Sequence, residues 1–209
     1  MNDRYDPARR PMPSSPDAAS SRLSRFLALV LRHRAHQFDL AVDEEGFVAL
    51  TPLLEVIRTQ SGLDAVSRED LEALARDGDR KRYELRGDSI RATYGHSFRR
   101  PIRYAEVEPP EHLFVAVASN QVQEVRLHGL RPEGRQYIHL SETEQEASEV
   151  GNRRGGDATV VTVLALEASR NGIPFHHPTT GLYLTLQIPG RFLDLQVQYG
   201  RSPRKGRRR

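Results

Sequence analysis

Residues 29–38 read LVLRHRAHQF, an apolar run that stops in Arg32-His33-Arg34 with His36 just behind. Arginine carries a permanent charge and a planar fork of donors that suits phosphate oxygens. A histidine beside it titrates near neutrality and can move a proton. Similar chemistry recurs along the chain. Arg91 and Arg135 sit at element ends or on strand pieces, Gly95-His96-Ser97 reads as a polar turn, and His139 lies in the apolar stretch YIHL. GNRRGGD, residues 151–157, is a Gly/Arg segment whose backbone N–H groups could cradle a pyrophosphate. Each has a plain reading as well. Exposed arginines are the norm, a strand histidine is commonly held by a backbone hydrogen bond, and a Gly/Arg segment is often a simple loop.

Several other chemistries find no support. With no cysteine there is no disulfide, thiolate zinc site or cysteine nucleophile. HExxH, GxGxxG, Walker and GxSxG patterns are missing, and the adjacent His176-His177 would face opposite sides of a strand. No metal is therefore expected. No apolar run reaches membrane-spanning length and the N-terminus has no apolar signal region, so a cytoplasmic monomer away from membranes is the expectation. The formal charge of +3 owes everything to the last nine residues, RSPRKGRRR. Subtracting their six cations leaves −3 for residues 1–200. The tail can attract polyanions without sequence preference, so any specific anion site in the body must be local.

The elements that must position these residues follow from periodicity. Residues 1–20 are Pro-, Ser-, Asp- and Arg-rich and are expected to be disordered. Helical spacing begins near Ser21 and puts Leu23, Leu27 and Val30 on one face, Arg25, Arg32 and His36 on the opposite one, and His33 at the border. FDLAVDEEGFVAL predicts two short extended pieces around a DEEG turn. Thr51-Pro52 predicts an N-cap and first helical position, and Ser67 with Asp70 a capping box. KRYEL and SIRATY predict a β-hairpin around RGD. Residues 21–98 thus read as a winged-helix module, and 99–111 as a proline-rich linker. Beyond it, HLFVAVA, RQYIHL, ATVVTVLAL, LYLTLQI and RFLDLQV predict strands. Ser119 is expected to cap a helix stopped by Gly129, and Ser141 with Glu144 a helix ending near Gly151. The class is α+β: a small winged-helix lobe, a mixed α/β lobe over 112–198, and a basic disordered tail over 199–209.

In their order these pieces resemble the NAD-dependent RNA 2′-phosphotransferase family. Leu31-Arg32-His33 ends a helix and precedes the acidic-Gly-aromatic turn Glu44-Glu45-Gly46-Phe47. Lys81-Arg82-Tyr83-Glu84-Leu85 leads to Ile90-Arg91-Ala92 and Gly95-His96-Ser97. Gly129-Leu130 is followed by Arg135 and by Ile138-His139-Leu140-Ser141. Gly151, Arg153, Gly172-Ile173-Pro174-Phe175 and Gly181-Leu182-Tyr183-Leu184-Thr185 complete the match, which runs from about Ser24 to Leu193.

The resemblance implies an N-terminal winged-helix RNA-binding lobe and a C-terminal ADP-ribosyltransferase-like lobe that binds NAD. The implied reaction has two steps. The RNA 2′-phosphate attacks the NAD ribose and releases nicotinamide, and the ribose 2″-hydroxyl then attacks that phosphate. The products are a 2′-hydroxyl RNA, for example tRNA, and ADP-ribose 1″,2″-cyclic phosphate. Arg32, His33, Arg91 and Arg135 are implied to be catalytic, drawn from both lobes closing on one phosphate. Arg32, Arg91, Gly95, His96, Ser97 and Arg135 would contact substrate phosphate or RNA. His139, Ser141, Gly151, Arg153 and Phe175 would contact NAD. One motif departs: where the family usually has His-Gly-Thr, this chain has Val115-Ala116-Val117, which removes a polar anchor for NAD, and Leu182 replaces a usual Val. Two other readings stand beside this one. One is transfer of ADP-ribose to a terminal phosphate of RNA or DNA. The other is a non-catalytic nucleic-acid-binding relative, favoured by the missing motif and opposed by the retained Arg/His set.

Overall fold

The computed structural model describes residues 16–76, 81–155 and 157–195. The chain divides into two compact units, Met1–Arg100 and Pro101–Arg209. The segments 1–15 and 199–209, expected to be disordered, lie outside the described residues.

The first unit opens on α1 (Pro16–Leu29), which starts ahead of the expected Ser21. Proline suits a first helical position and the alanines behind it propagate the helix. The helix then widens into a π turn, Val30–Arg34, and tightens into a 3-10 turn, Ala35–Phe38. The apolar stripe survives the change in winding: Leu23, Leu27, Val30, Leu31 and Ala35 are all buried. Asp39 ends it in the left-handed region at φ 54°.

Of the two extended pieces expected around DEEG, only the second forms. It is β1 (Val48–Ala49), paired with β3 (Ser89–Ala92). The turn is held by Asp43, whose Oδ1 accepts from Glu45 N at 2.9 Å and Phe47 N at 2.8 Å. Next, α2 (Leu50–Arg58) begins ahead of Thr51, so the expected threonine cap is corrected to Ala49, with no side-chain cap. Leu50 N instead donates to Asp88 O at 2.8 Å. Pro52 falls in the first turn, where N–H groups have no intrahelical partner to lose. The predicted capping box does form before α3 (Arg68–Arg76): Ser67 N donates to Asp70 Oδ2 at 2.8 Å and Asp70 N to Ser67 Oγ at 3.3 Å. β2 (Tyr83–Arg86) and β3 make the hairpin, with Gly87 at φ 57° in the turn. Tyr83 OH donates to Ser24 O at 2.7 Å and so ties the hairpin to α1.

The second unit begins with the proline-rich segment, which has no regular structure yet is anchored. Ile102 N donates to Gln136 Oε1 at 3.0 Å, and Val107 N to Phe175 O at 2.8 Å. His176 Nδ1 donates to Ala105 O at 3.0 Å. The unit's antiparallel sheet takes the strand order β7-β8-β5-β4-β6-β9. These strands are β4 (His112–Ala118), β5 (Ile138–Ser141), β6 (Ala158–Leu164), β7 (His176–Thr179), β8 (Leu182–Thr185) and β9 (Leu193–Asp194). Edge strand β7 was not expected; it accommodates Pro178 because an edge position has donors to spare. It sends His176 inward and His177 outward.

Two expected caps are corrected here. Ser119 enters a 3-10 turn before α4 (Val122–His128), and its Oγ lies 3.2 Å from Thr159 Oγ1. α5 (Glu144–Arg154) is capped by Thr143, whose Oγ1 accepts from Glu146 N at 3.2 Å, while Ser141 stays in β5. α5 also runs through Gly151 to Arg154, so most of the expected Gly/Arg loop is helix. A Cβ on Gly151 would stand 2.9 Å from Ala158 Cβ and 3.0 Å from Ala116 Cβ, so glycine is what lets α5 lie close on β4 and β6. A last helix, α6 (Ala165–Arg170), follows β6. Among the described residues no helix is long and apolar enough to cross a membrane.

Candidate active site

The first unit gathers Arg32, His33, Arg91 and Gly95-His96-Ser97, separated by about sixty residues in sequence. The π turn matters here, because such turns leave carbonyls without their regular helical partners and recur at functional sites. Arg32 O accepts from Ser97 N at 3.0 Å. His33 Nδ1 lies 2.8 Å from Ser97 Oγ. Gly95, at φ +89°, takes a backbone conformation that residues with a Cβ rarely adopt, and the Arg32 stem lies beside it. One short segment thus holds the backbone of Arg32 and the ring of His33.

Arg32 stacks its guanidinium over the Tyr94 ring, 4.8 Å from the centroid. Its Nε is buried and makes no hydrogen bond among the described residues. A buried donor without an acceptor costs roughly 1–3 kcal/mol, a penalty that an anionic ligand accepting from it would remove.

Arg91 is held on several sides. Nε donates to Glu84 Oε2 at 2.8 Å and Nη1 to Glu45 O at 2.9 Å. Its guanidinium lies 4.6 Å from the Phe47 centroid, and that of Arg86 lies 4.3 Å from the same centroid. The DEEG turn is therefore the mount of Arg91. Sequence reasoning missed Glu84 in this role, although counting back from the Gly87-Asp88 turn places it opposite Arg91.

His96 is buried near these cations. Burial first, and then the charges of Arg32, Arg91 and His33, push its pKa down from 6.5 to about 3. It is neutral throughout the physiological range.

The second unit has its own pocket of about 470 Å³, running from β4 across β5 to α5. Arg135, His139 and Gly151 line it, with Arg131, Tyr137 and Asp157. His139 Nδ1 donates to Tyr137 O at 3.1 Å. Val115, Ala116 and Val117 also line it, so the residues that replace the expected His-Gly-Thr do face this cavity. Three residues expected at a cofactor do not line it. Ser141 is buried in β5, Phe175 is 1% exposed in the core, and Arg153 projects from α5 into solvent. Among the described residues no group of His, Cys, Asp and Glu side chains could hold a metal.

Fixed arginines, one with an unsatisfied buried donor, beside a hydrogen-bonded histidine make an arrangement chemically able to bind a phosphate and to move a proton. The comparisons with known proteins give the family. Residues 18–187 match the family described as RNA 2′-phosphotransferase, Tpt1 / KptA family. A protein of Acetivibrio thermocellus named "Probable RNA 2′-phosphotransferase" is 36% identical over 176 residues, covering 84% of this chain and 97% of the relative. Proteins of the same name from Pectobacterium carotovorum subsp. carotovorum and Streptomyces coelicolor are 34% and 31% identical, each across 82% of this chain and 92% and 93% of their own lengths. The chain belongs to the RNA 2′-phosphotransferase family.

Proposed function

We propose that the protein removes the 2′-phosphate of an RNA by transferring it to NAD. The observation that carries this reading is the buried, unsatisfied Arg32 Nε beside His33, within a cage that also fixes Arg91. Such a cage favours a ligand that accepts several hydrogen bonds and bears concentrated negative charge, as a 2′-phosphate flanked by phosphodiesters does.

NAD, when bound, would supply the ribose that accepts the phosphate, with nicotinamide and ADP-ribose 1″,2″-cyclic phosphate as products. The pocket of the second unit fits such a group: Arg131 and Arg135 suit a pyrophosphate, and Tyr137 and His139 offer ring faces and polar atoms. Within the first unit, Arg32 and Arg91 bind the transferred phosphate and stabilise its charge. His33 takes the proton of the attacking hydroxyl. His96, kept neutral, adds no charge near the cations. The apolar β4 wall supports a second reading, RNA binding without turnover, because Val115 and Val117 offer NAD no polar side-chain atom.

The test is to incubate the protein with a short RNA carrying one internal 2′-phosphate and to assay nicotinamide release. Release that requires both the RNA phosphate and NAD supports the transferase. RNA binding with no release at saturating NAD supports the binding protein.

A further inference from the structure

Two arginines of the first unit are held by different chemistry. Arg91 lies against carboxylates: Nε donates to Glu84 Oε2 at 2.8 Å, and Glu45 Oε2 stands 4.0 Å from Nη1. Arg32 has no ion pair among the described residues, and its buried Nε has no acceptor there. Its guanidinium lies instead over the Tyr94 ring, 4.8 Å from the centroid, and its stem runs beside Gly95. The ring stands on a segment anchored at both ends. Thr93 N donates to Arg82 O at 3.0 Å and Thr93 Oγ1 to Lys81 O at 2.7 Å, while Ser97 N donates to Arg32 O at 3.0 Å. A carboxylate holds a guanidinium by occupying its N–H donors. An aromatic face attracts the delocalised charge through its quadrupole and spares those donors for oxygen acceptors.

We infer that Tyr94 is a positioning residue: its ring face orients Arg32 so that the Arg32 donors, Nε–H among them, remain open to the 2′-phosphate of the RNA. The inference rests on the proposed function for the identity of that phosphate, whereas the hold of Tyr94 on Arg32 belongs to the protein alone. It divides the work of the two arginines. Arg91 meets the phosphate with Nε already taken by Glu84 and Nη1 donating to Glu45 O. Arg32 brings the larger share of open donors and of uncompensated charge. Loss of the ring face leaves that charge in place but lets the guanidinium swing, so the selective grip on phosphate falls.

The test uses the full-length protein with Tyr94→Phe and then with fluorinated phenylalanines in place of Tyr94. These keep the shape of the ring while progressively weakening its negative face. Affinity is measured for a short RNA with one internal 2′-phosphate and for the same RNA without it. The preference for the phosphorylated RNA should survive Tyr94→Phe, fall stepwise with fluorination and drop about tenfold across the series, as in Tyr94→Leu. In an Arg32→Ala background the series should be flat. Nitrogen-15 NMR of the Arg32 Nε–H, identified by its loss in Arg32→Ala, reads the same hold without RNA: its exchange with water should quicken as the ring face weakens. Where the wild type prefers the phosphorylated RNA, a flat series with Arg32 intact, or a slope that persists in Arg32→Ala, would overturn the inference. Exchange that ignores fluorination would overturn it whatever the binding. A preference missing in every protein, with Nε–H exchange following the ring, would overturn the proposed function and leave the positioning of Arg32 standing.

Discussion

Arg91 and Glu84 face each other across the β2–β3 hairpin, with Arg91 Nε donating to Glu84 Oε2 at 2.8 Å. The carboxylate occupies the side edge of the guanidinium and the Glu45 carbonyl takes Nη1. Glu84→Ala should therefore leave the charge of Arg91 in place but loosen its aim, lowering kcat/KM about tenfold, on the order of 1.4 kcal/mol. Arg91→Ala should abolish turnover, and Arg91→Lys should not restore it because an ammonium cannot serve both Glu84 and a phosphate in one plane. Steady-state kinetics on the three variants check this; wild-type rates in Arg91→Ala would remove Arg91 from the mechanism.

His96 makes stability depend on pH. The unfolded residue binds its proton near 6.5 and the folded one only near 3. Between these values the unfolded chain holds more protons, so stability rises with pH and is lost on acidification. The slope from this group approaches about 1.4 kcal/mol per pH unit. In His96→Asn that contribution should vanish. Denaturant midpoints for both proteins at several pH values read it out, and parallel curves would contradict it.

Gly151 is a packing glycine. Gly151→Ala should destabilise the second unit by about 1–3 kcal/mol, because the new methyl meets Ala116 and Ala158. Pairing it with Ala116→Gly should recover part of the loss by clearing one of the two contacts. Thermal unfolding of the single and double variants measures both terms; equal losses would mean that Ala116 plays no part.

His33→Ala should slow the second chemical step more than the first. An ADP-ribosylated RNA should then accumulate in single-turnover mixtures and be visible by mass. Its absence, with both steps slowed equally, would count against the proton-transfer role.

Much of this framework is legible from spacing alone. The Leu23, Leu27 and Val30 stripe, the Ser67–Asp70 capping box and the hairpin around Gly87 are local patterns whose partners lie within a few residues. The misplaced caps at Thr51, Ser119 and Ser141 share a cause. A capping side chain is recognised by type, but where a helix begins depends on where the preceding strand stops pairing. Ser141 remains in β5 because Leu182 pairs with it, and this leaves Thr143 as the cap. The candidate site residues follow the same division. Arg32, His33 and Arg91 stand out by residue type, but the contact of Ser97 with His33 spans 64 positions and exists only once the unit is folded. Phe175 is the converse: its place in a motif suggested a ligand contact, and its ring belongs to the core.

Val115 gives a direct handle on the second pocket. Val115→His would return an imidazole to the pocket wall, and a new hydrogen bond to a bound dinucleotide should lower KM for NAD by roughly 2- to 12-fold, about 0.5–1.5 kcal/mol. An unchanged or raised KM would mean that the pocket takes NAD in a pose that does not use this wall.

The most direct measurement follows a radiolabelled RNA 2′-phosphate through the reaction. With NAD present, the label should leave the RNA and appear in ADP-ribose 1″,2″-cyclic phosphate, with none released as inorganic phosphate and no loss when NAD is withheld. Label that stays on protein-bound RNA in saturating NAD, or that departs as inorganic phosphate, would contradict transfer to NAD.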